Sequence, residues 1–123
     1  MQHNKYTLVI GASEKPERYS NKAIKMLLKY KHSVLAIGQK IGQVEGIPIQ
    51  TEKSPFEEVD TVTLYLGPQN QPQYIDYILS LKPRRIIFNP GTENDHFVDL
   101  ATKQHIQCIE ACTLVMLSTG QYD

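Results

Sequence analysis

Two cysteines in 123 residues are too few for the disulfide framework that staples small secreted folds. No apolar run approaches the ~18 residues of a membrane span. Neither charge is in excess: thirteen Lys and Arg balance thirteen Asp and Glu, giving a formal net charge of zero. The electrostatic footprint of a nucleic-acid or anionic-membrane binder is therefore missing. Residues 1–5 have neither the layout of a secretory signal nor the Arg-rich amphipathic character of a transit peptide. Several catalytic signatures are also lacking, among them G-x-S-x-G, the P-loop G-x-x-x-x-G-K and H-E-x-x-H. What is left is a reduced, cytoplasmic protein with one domain over residues 1–123. Its 41% of hydrophobic residues is ordinary for a globular chain and argues against disorder.

Two hydrophobic periods alternate along the chain. Short β-prone runs at 6–10, 33–37, 61–66, 85–88 and 106–109 read as strands. Helices are expected over 21–31 and 71–81, around Phe97, Leu100 and Ala101, and from Thr113 onward. Asn70 is the expected N-cap of the second helix, with Pro72 in its first turn. Gly42, Gly46 and Pro48 break residues 39–54 into irregular chain that has room for a small hairpin, and 56–59 reads as a helical turn. Strands alternating with helices over short connections predict an α/β fold: a three-layer, Rossmann-like, doubly wound sheet of about five parallel strands.

Ligands of such sheets sit beyond the C-terminal strand ends. The first such segment is Gly11, Ala12 and Ser13, where a tight turn and small side chains fit either phosphate binding or turn chemistry alone. The dinucleotide fingerprint G-x-G-x-x-G is absent, since positions 13 and 16 are Ser and Pro. After the second strand stand Gly38, Gln39 and Lys40 where NAD enzymes place an acid. A lysine there favours a phosphorylated ribose, as in NADP or coenzyme A, unless it is simply solvated. Arg18 and Lys22 flank the first helix, facing either phosphates or water. Gly67 and Pro68 close the third strand. Asn89, Pro90, Gly91 and Thr92 follow the fourth, as backbone donors to a ligand or as a turn capped by Thr92 or Asn94. Cys112 leaves the last strand, either as a reactive thiol at a helix start or as a packed small side chain. His105, Cys108 and Cys112 are zinc-type ligands without an evident fourth, so Cys108 is read as buried in a strand and no metal is assigned. Glu93 and Glu110 are read as surface groups.

The run Gly11-Ala12-Ser13-Glu14-Lys15-Pro16-Glu17-Arg18-Tyr19-Ser20-Asn21 resembles G-A-S-x-K-P-x-R-x-x-N, the opening motif of the small CoA-binding proteins. A more distant form of that domain begins the alpha subunit of succinyl-CoA synthetase. Val44-Glu45-Gly46-Ile47-Pro48-Ile49 is similar to the family's segment after strand two, and the likeness covers nearly the whole chain. The resemblance implies coenzyme A, free or acylated, as ligand. Gly11, Ala12 and Ser13 would hold its pyrophosphate, with Arg18 and Asn21 shaping the loop. Gln39 and Lys40 would meet the 3′-phosphate, and Leu66, Gly67 and Pro68 the adenine. Residues 89–92 and Cys112 would border the pantetheine. Two segments depart from the pattern: Ile37-Gly38-Gln39 replaces V-N-P, and Phe88 to Asn94 replaces the W-x-Q-x-G type. Three functions follow as expectations. They are a non-catalytic carrier or sensor of CoA, a CoA-dependent enzyme using Cys112 as nucleophile, and an NADP-binding redox sensor. A homodimer is compatible with each.

Overall fold

β-Branched runs favour extended chain, and parallel pairing demands crossovers long enough to return to the same sheet end. In the computed structural model, which describes residues 6–123, the strands are β1 (Tyr6–Ala12), β2 (Ser33–Gly38), β3 (Gly42–Val44), β4 (Ile47–Gln50), β5 (Val59–Leu64), β6 (Arg85–Phe88) and β7 (Gln107–Glu110). They form one seven-stranded sheet in the order β3-β4-β2-β1-β5-β6-β7. All neighbours are parallel except β3 and β4, which pair as an antiparallel hairpin. The helices are α1 (Tyr19–Lys29), α2 (Pro72–Leu81), α3 (Asp95–Lys103) and α4 (Thr113–Ser118). Among the described residues none is long and apolar enough to cross a membrane.

Side chains alternate across the sheet. Leu8, Ile10, Ile86 and Phe88 join Tyr74, Ile78 and Phe97 of α2 and α3 on one face. Val9 and Ile87 join Ile24, Leu27, Met116 and Leu117 of α1 and α4 on the other. Phe88 and Phe97 meet edge to face with centroids 5.4 Å apart. The result is the expected three-layer Rossmann-like fold.

Several boundaries differ from expectation. The 42–50 segment extends the sheet from five strands to seven, because β4 runs parallel beside β2 and takes β3 with it. Helix α1 starts two residues earlier than expected and ends when Lys31 turns to φ 69°. Gln71, not Asn70, precedes α2, since residues Pro68–Asn70 form a 3₁₀ turn of their own. Residues 57 and 58 bend rather than coil, with Glu58 at φ 63°, and deliver the chain into β5. Cys108 is half-buried rather than buried, because β7 is the sheet edge. The reading of residues 1–5 lies outside the described residues.

The N-terminal end of the sheet is closed by its own side chains. Buried Arg85 donates from Nε to Thr61 Oγ1 at 2.8 Å and from Nη2 to the Tyr122 carbonyl at 2.6 Å. Its guanidinium lies 4.4 Å from the centre of the Tyr122 ring, whose hydroxyl bonds Thr7. Arg84 grips Asp60 with two bonds, at 2.8 and 3.0 Å. Burial pushes the Asp60 carboxyl up, but its bonds from Arg84 and Thr61 outweigh this and hold it below the usual range.

Candidate functional site

The strand order reverses between β1 and β5: the chain runs outward from β1 through β2 to the hairpin, then returns to β5 on the other side. Crevices form where connections diverge this way. A cleft of about 480 Å³ opens there. Its floor depends on two glycines. Gly11 sits at φ +96°, and a Cβ on it would lie 3.1 Å from the Tyr65 backbone. At Gly38 an added Cβ would come within 2.3 Å of the Ala12 carbonyl oxygen. Small residues thus let three strand ends crowd beneath one opening.

The loop from β1 to α1 forms the near wall. Ser13 Oγ accepts the Lys15 N–H at 3.1 Å, and the Ser13 carbonyl accepts Asn21 Nδ2 at 2.9 Å. Asn21 is buried, and its Oδ1 has no partner. Arg18 is the N-cap residue of α1; no side chain caps this end and no acid stands in its first turn. The free N–H groups and positive end of the helix dipole therefore remain available to an anion. Lys15, Arg18 and Lys40 all line the cleft, against the single acid Glu14. Glu14 is committed elsewhere: its Oε2 accepts the Gln43 N–H of β3 at 2.8 Å. On a chain of zero net charge, this is a local cationic excess.

Tyr65, Leu66, Gly67 and Asn70 complete the lining. The Tyr65 hydroxyl is buried and has no well-formed hydrogen bond. Burial pushes its pKa up to about 12, against some relief from the neighbouring Thr63 and Thr113 hydroxyls. Those two are bonded to each other at 2.8 Å.

Eight residues singled out by sequence thus meet at one cleft: Gly11, Ala12, Ser13, Arg18, Gln39, Lys40, Leu66 and Gly67. The rest lie off its lining. Asn21 braces the loop from behind, and Gly38 lies beneath Ala12. Lys22 is exposed, 5.3 Å from the Tyr19 ring centre. Pro68 opens the 3₁₀ turn. Asn89 is buried and donates from Nδ2 to Thr63 Oγ1 and the Leu64 carbonyl, while Oδ1 accepts the Thr113 N–H. Thr92 is also buried, with its hydroxyl and N–H on the Asn89 carbonyl. Pro90 and Gly91 are exposed on that turn. Cys112 is half-buried and precedes α4.

Sequence reasoning passed over Gln71, which is 1% exposed. Its Nε2 donates to the Leu66 and Thr92 carbonyls, and its Oε1 accepts Asn94 Nδ2. One amide therefore fixes the β5 exit, the β6 exit and the cap of α3. Tyr65 was missed because it continues an apolar run and reads as core. Glu93 and Glu110 are exposed, as expected. Among the described residues no three His, Cys, Asp or Glu side chains gather as a metal site. Burial raises the Cys108 thiol above its ordinary value. Among the described residues no Cys or His lines the cleft.

A family model described as CoA binding domain matches residues 5–118. The chain belongs to this family. As a CoA-binding domain it has a near structural twin: a crystal structure of an uncharacterized protein, 45% identical with a TM-score of 0.94, aligned over 98% of this chain and 100% of that one. A hypothetical protein from Pyrococcus horikoshii OT3 is 23% identical, with a TM-score of 0.83 over 96% of this chain and 84% of the other. A Thermus thermophilus protein is 17% identical, with a TM-score of 0.81 over 97% and 91%. At these last two identities the likeness is one of fold. No curated protein matches the chain. Membership of the CoA-binding domain family assigns the general ligand class, and the cationic cleft is of the chemistry that class requires.

Proposed function

We propose that the cleft binds coenzyme A or acyl-CoA and that the protein is a non-catalytic carrier or sensor in the cytoplasm. One observation carries this: Lys15, Arg18 and Lys40 converge with the uncapped start of α1 on the Gly11–Ala12–Ser13 turn. Backbone N–H groups of that turn and helix take the pyrophosphate. Lys40 sits after β2, where it neutralises the 3′-phosphate, and Leu66 and Gly67 offer an apolar edge to the adenine. The non-catalytic reading rests on a cleft lining without Cys or His among the described residues and on the attachment of Glu14 to β3. Two unpaired cysteines suit a reducing compartment.

Isothermal titration against CoA, 3′-dephospho-CoA and NADPH tests the ligand. CoA is expected to bind about tenfold more tightly than its dephospho form, the size of one charge-assisted contact. Equal affinities would remove the role of Lys40, and a preference for NADPH would transfer the cleft to the redox-sensor reading. Acetyl-CoA incubated with the protein should be recovered intact. Acetylated Cys112 or free CoA would make the protein an enzyme.

A further inference from the structure

The outer face of α1 carries a file of cations that begins at the cleft and runs well beyond it. Arg18, Lys22, Lys25 and Lys29 are all exposed, and at about 3.6 residues per turn they fall within about 60° of each other around the helix. There is no acid anywhere in α1. Among the described residues the ion pairs are Arg84–Asp60 and His32–Asp123, so none of the four cations has a carboxylate partner. Apart from Lys29, whose charge suits the last turn, this arrangement works against the helix. Arg18 and Lys22 crowd its positive end, and Arg18/Lys22 and Lys25/Lys29 are like-charge pairs at i, i+4. Like charges lined up with no carboxylate partner in the fold suit a use outside it.

That use is not ligand capture alone. Arg18 lines the cleft, but Lys29 lies about 16 Å further along the helix axis, roughly twice the screening length of ~8 Å at physiological salt. Exposed aromatics flank the stripe. Tyr19 is 67% and Tyr30 38% exposed. Lys22 and Lys29 rest 5.3 and 5.9 Å from their ring centres, which holds the ammonium groups in place. Ile41, 79% exposed, stands immediately before β3, which packs beside α1. Tyr and Arg are the side chains that anchor protein interfaces.

We propose that this face docks an acidic surface of a partner protein, one presenting carboxylates at helical spacing. The apolar side of α1 is buried in the core, so the helix cannot insert into lipid. The stripe is a single file on a convex surface rather than a groove, and it suits a facing helix better than a phosphate backbone. Because the file starts at the cleft mouth, a docked partner sits beside whatever the cleft holds.

Fluorescence anisotropy of a labelled alanine/glutamate peptide of about 20 residues, helical and with its glutamates at i, i+3, i+7, tests this on the full chain. Binding is expected at low salt, weakening as salt rises. It should weaken about tenfold or more in Lys25→Glu/Lys29→Glu, and by an intermediate factor in Lys25→Gln/Lys29→Gln. Lys25→Gln/Lys29→Gln removes a like-charge pair and should melt close to the parent temperature, while Lys25→Glu/Lys29→Glu, which exchanges one like-charge pair for another and sets an acid in the last turn, should still unfold in one cooperative transition. Peptide-induced NMR shifts should map to residues 22–30. No binding, unchanged affinity in the variants, or shifts elsewhere would overturn the proposal. Tighter binding to phosphatidylserine vesicles, to single-stranded RNA or to a second copy of this chain would do the same, by assigning the face to another partner.

Discussion

The chain at the C-terminal ends of β1 and β6 begins alike and ends differently. Each has a glycine at positive φ, Gly11 at +96° and Gly91 at +92°, next to small or hydrogen-bonding residues. After β1 the backbone faces an open cleft, and the adjoining helix start lacks any cap. After β6, Asn89 and Thr92 bond to each other, to β5 and to α4, leaving little for a ligand. Polar residues at a strand end are thus ambiguous by composition. What separates binding from scaffolding is whether their partners are already inside the fold.

Breaking the scaffolding turn should have the largest effect. Asn89→Ala leaves the Thr113 N–H and the Leu64 carbonyl without a side-chain partner in the interior, and is expected to cost about 2–4 kcal/mol of unfolding free energy in a urea titration. An unchanged midpoint would mean that the turn after β6 does not brace the fold. Next comes the binding turn. Gly11→Ala forces an L side chain into positive φ, 3.1 Å from the Tyr65 backbone. The expected loss is about 1–3 kcal/mol of stability, with CoA affinity falling at least tenfold by calorimetry.

Lys40→Ala sharpens the comparison from the opposite direction, since an exposed cation on the open side should matter to ligand and not to fold. CoA binding is expected to weaken about tenfold and dephospho-CoA binding to stay the same, with stability changed by less than about 0.5 kcal/mol.

The smallest effect concerns the cleft floor. The folded Tyr65 phenol is pushed from 10 up to about 12, so the native state holds that proton more tightly than the unfolded chain. Its contribution is intact below pH 10 and disappears as pH climbs toward 12. Tyr65→Phe should flatten part of this alkaline decline in a melting series, with Tyr77 and Tyr122, which burial also raises, contributing to the rest. Near neutral pH, losing a hydroxyl without a partner should leave stability equal or raise it by up to ~1 kcal/mol. A clear drop would mean the hydroxyl is well bonded after all.

The strands were legible because β-branched runs such as Thr61–Leu64 have few other uses, and Tyr74, Ile75, Ile78 and Leu79 marked the buried stripe of α2 in advance. That the glycine at the end of β1, Arg18 and Lys40 would share one cleft was legible because their places near strand ends are set by topology. Gln71 was not, since its partners lie up to 23 residues away and nothing local distinguishes it from a solvated glutamine. Cys108 misled for a related reason: an edge position depends on sheet order, which periodicity does not encode.

The bond from Glu14 to the Gln43 N–H has a consequence for how such chains can diverge. The carboxyl lies so close over Gly42 that an added methyl there would approach its carbon to 2.3 Å. Any larger residue at 42 must therefore evict the acid and turn its charge loose among the three cations. Changes at these two positions should be inherited together, giving a hairpin far along the chain a vote on the electrostatic character of the opening.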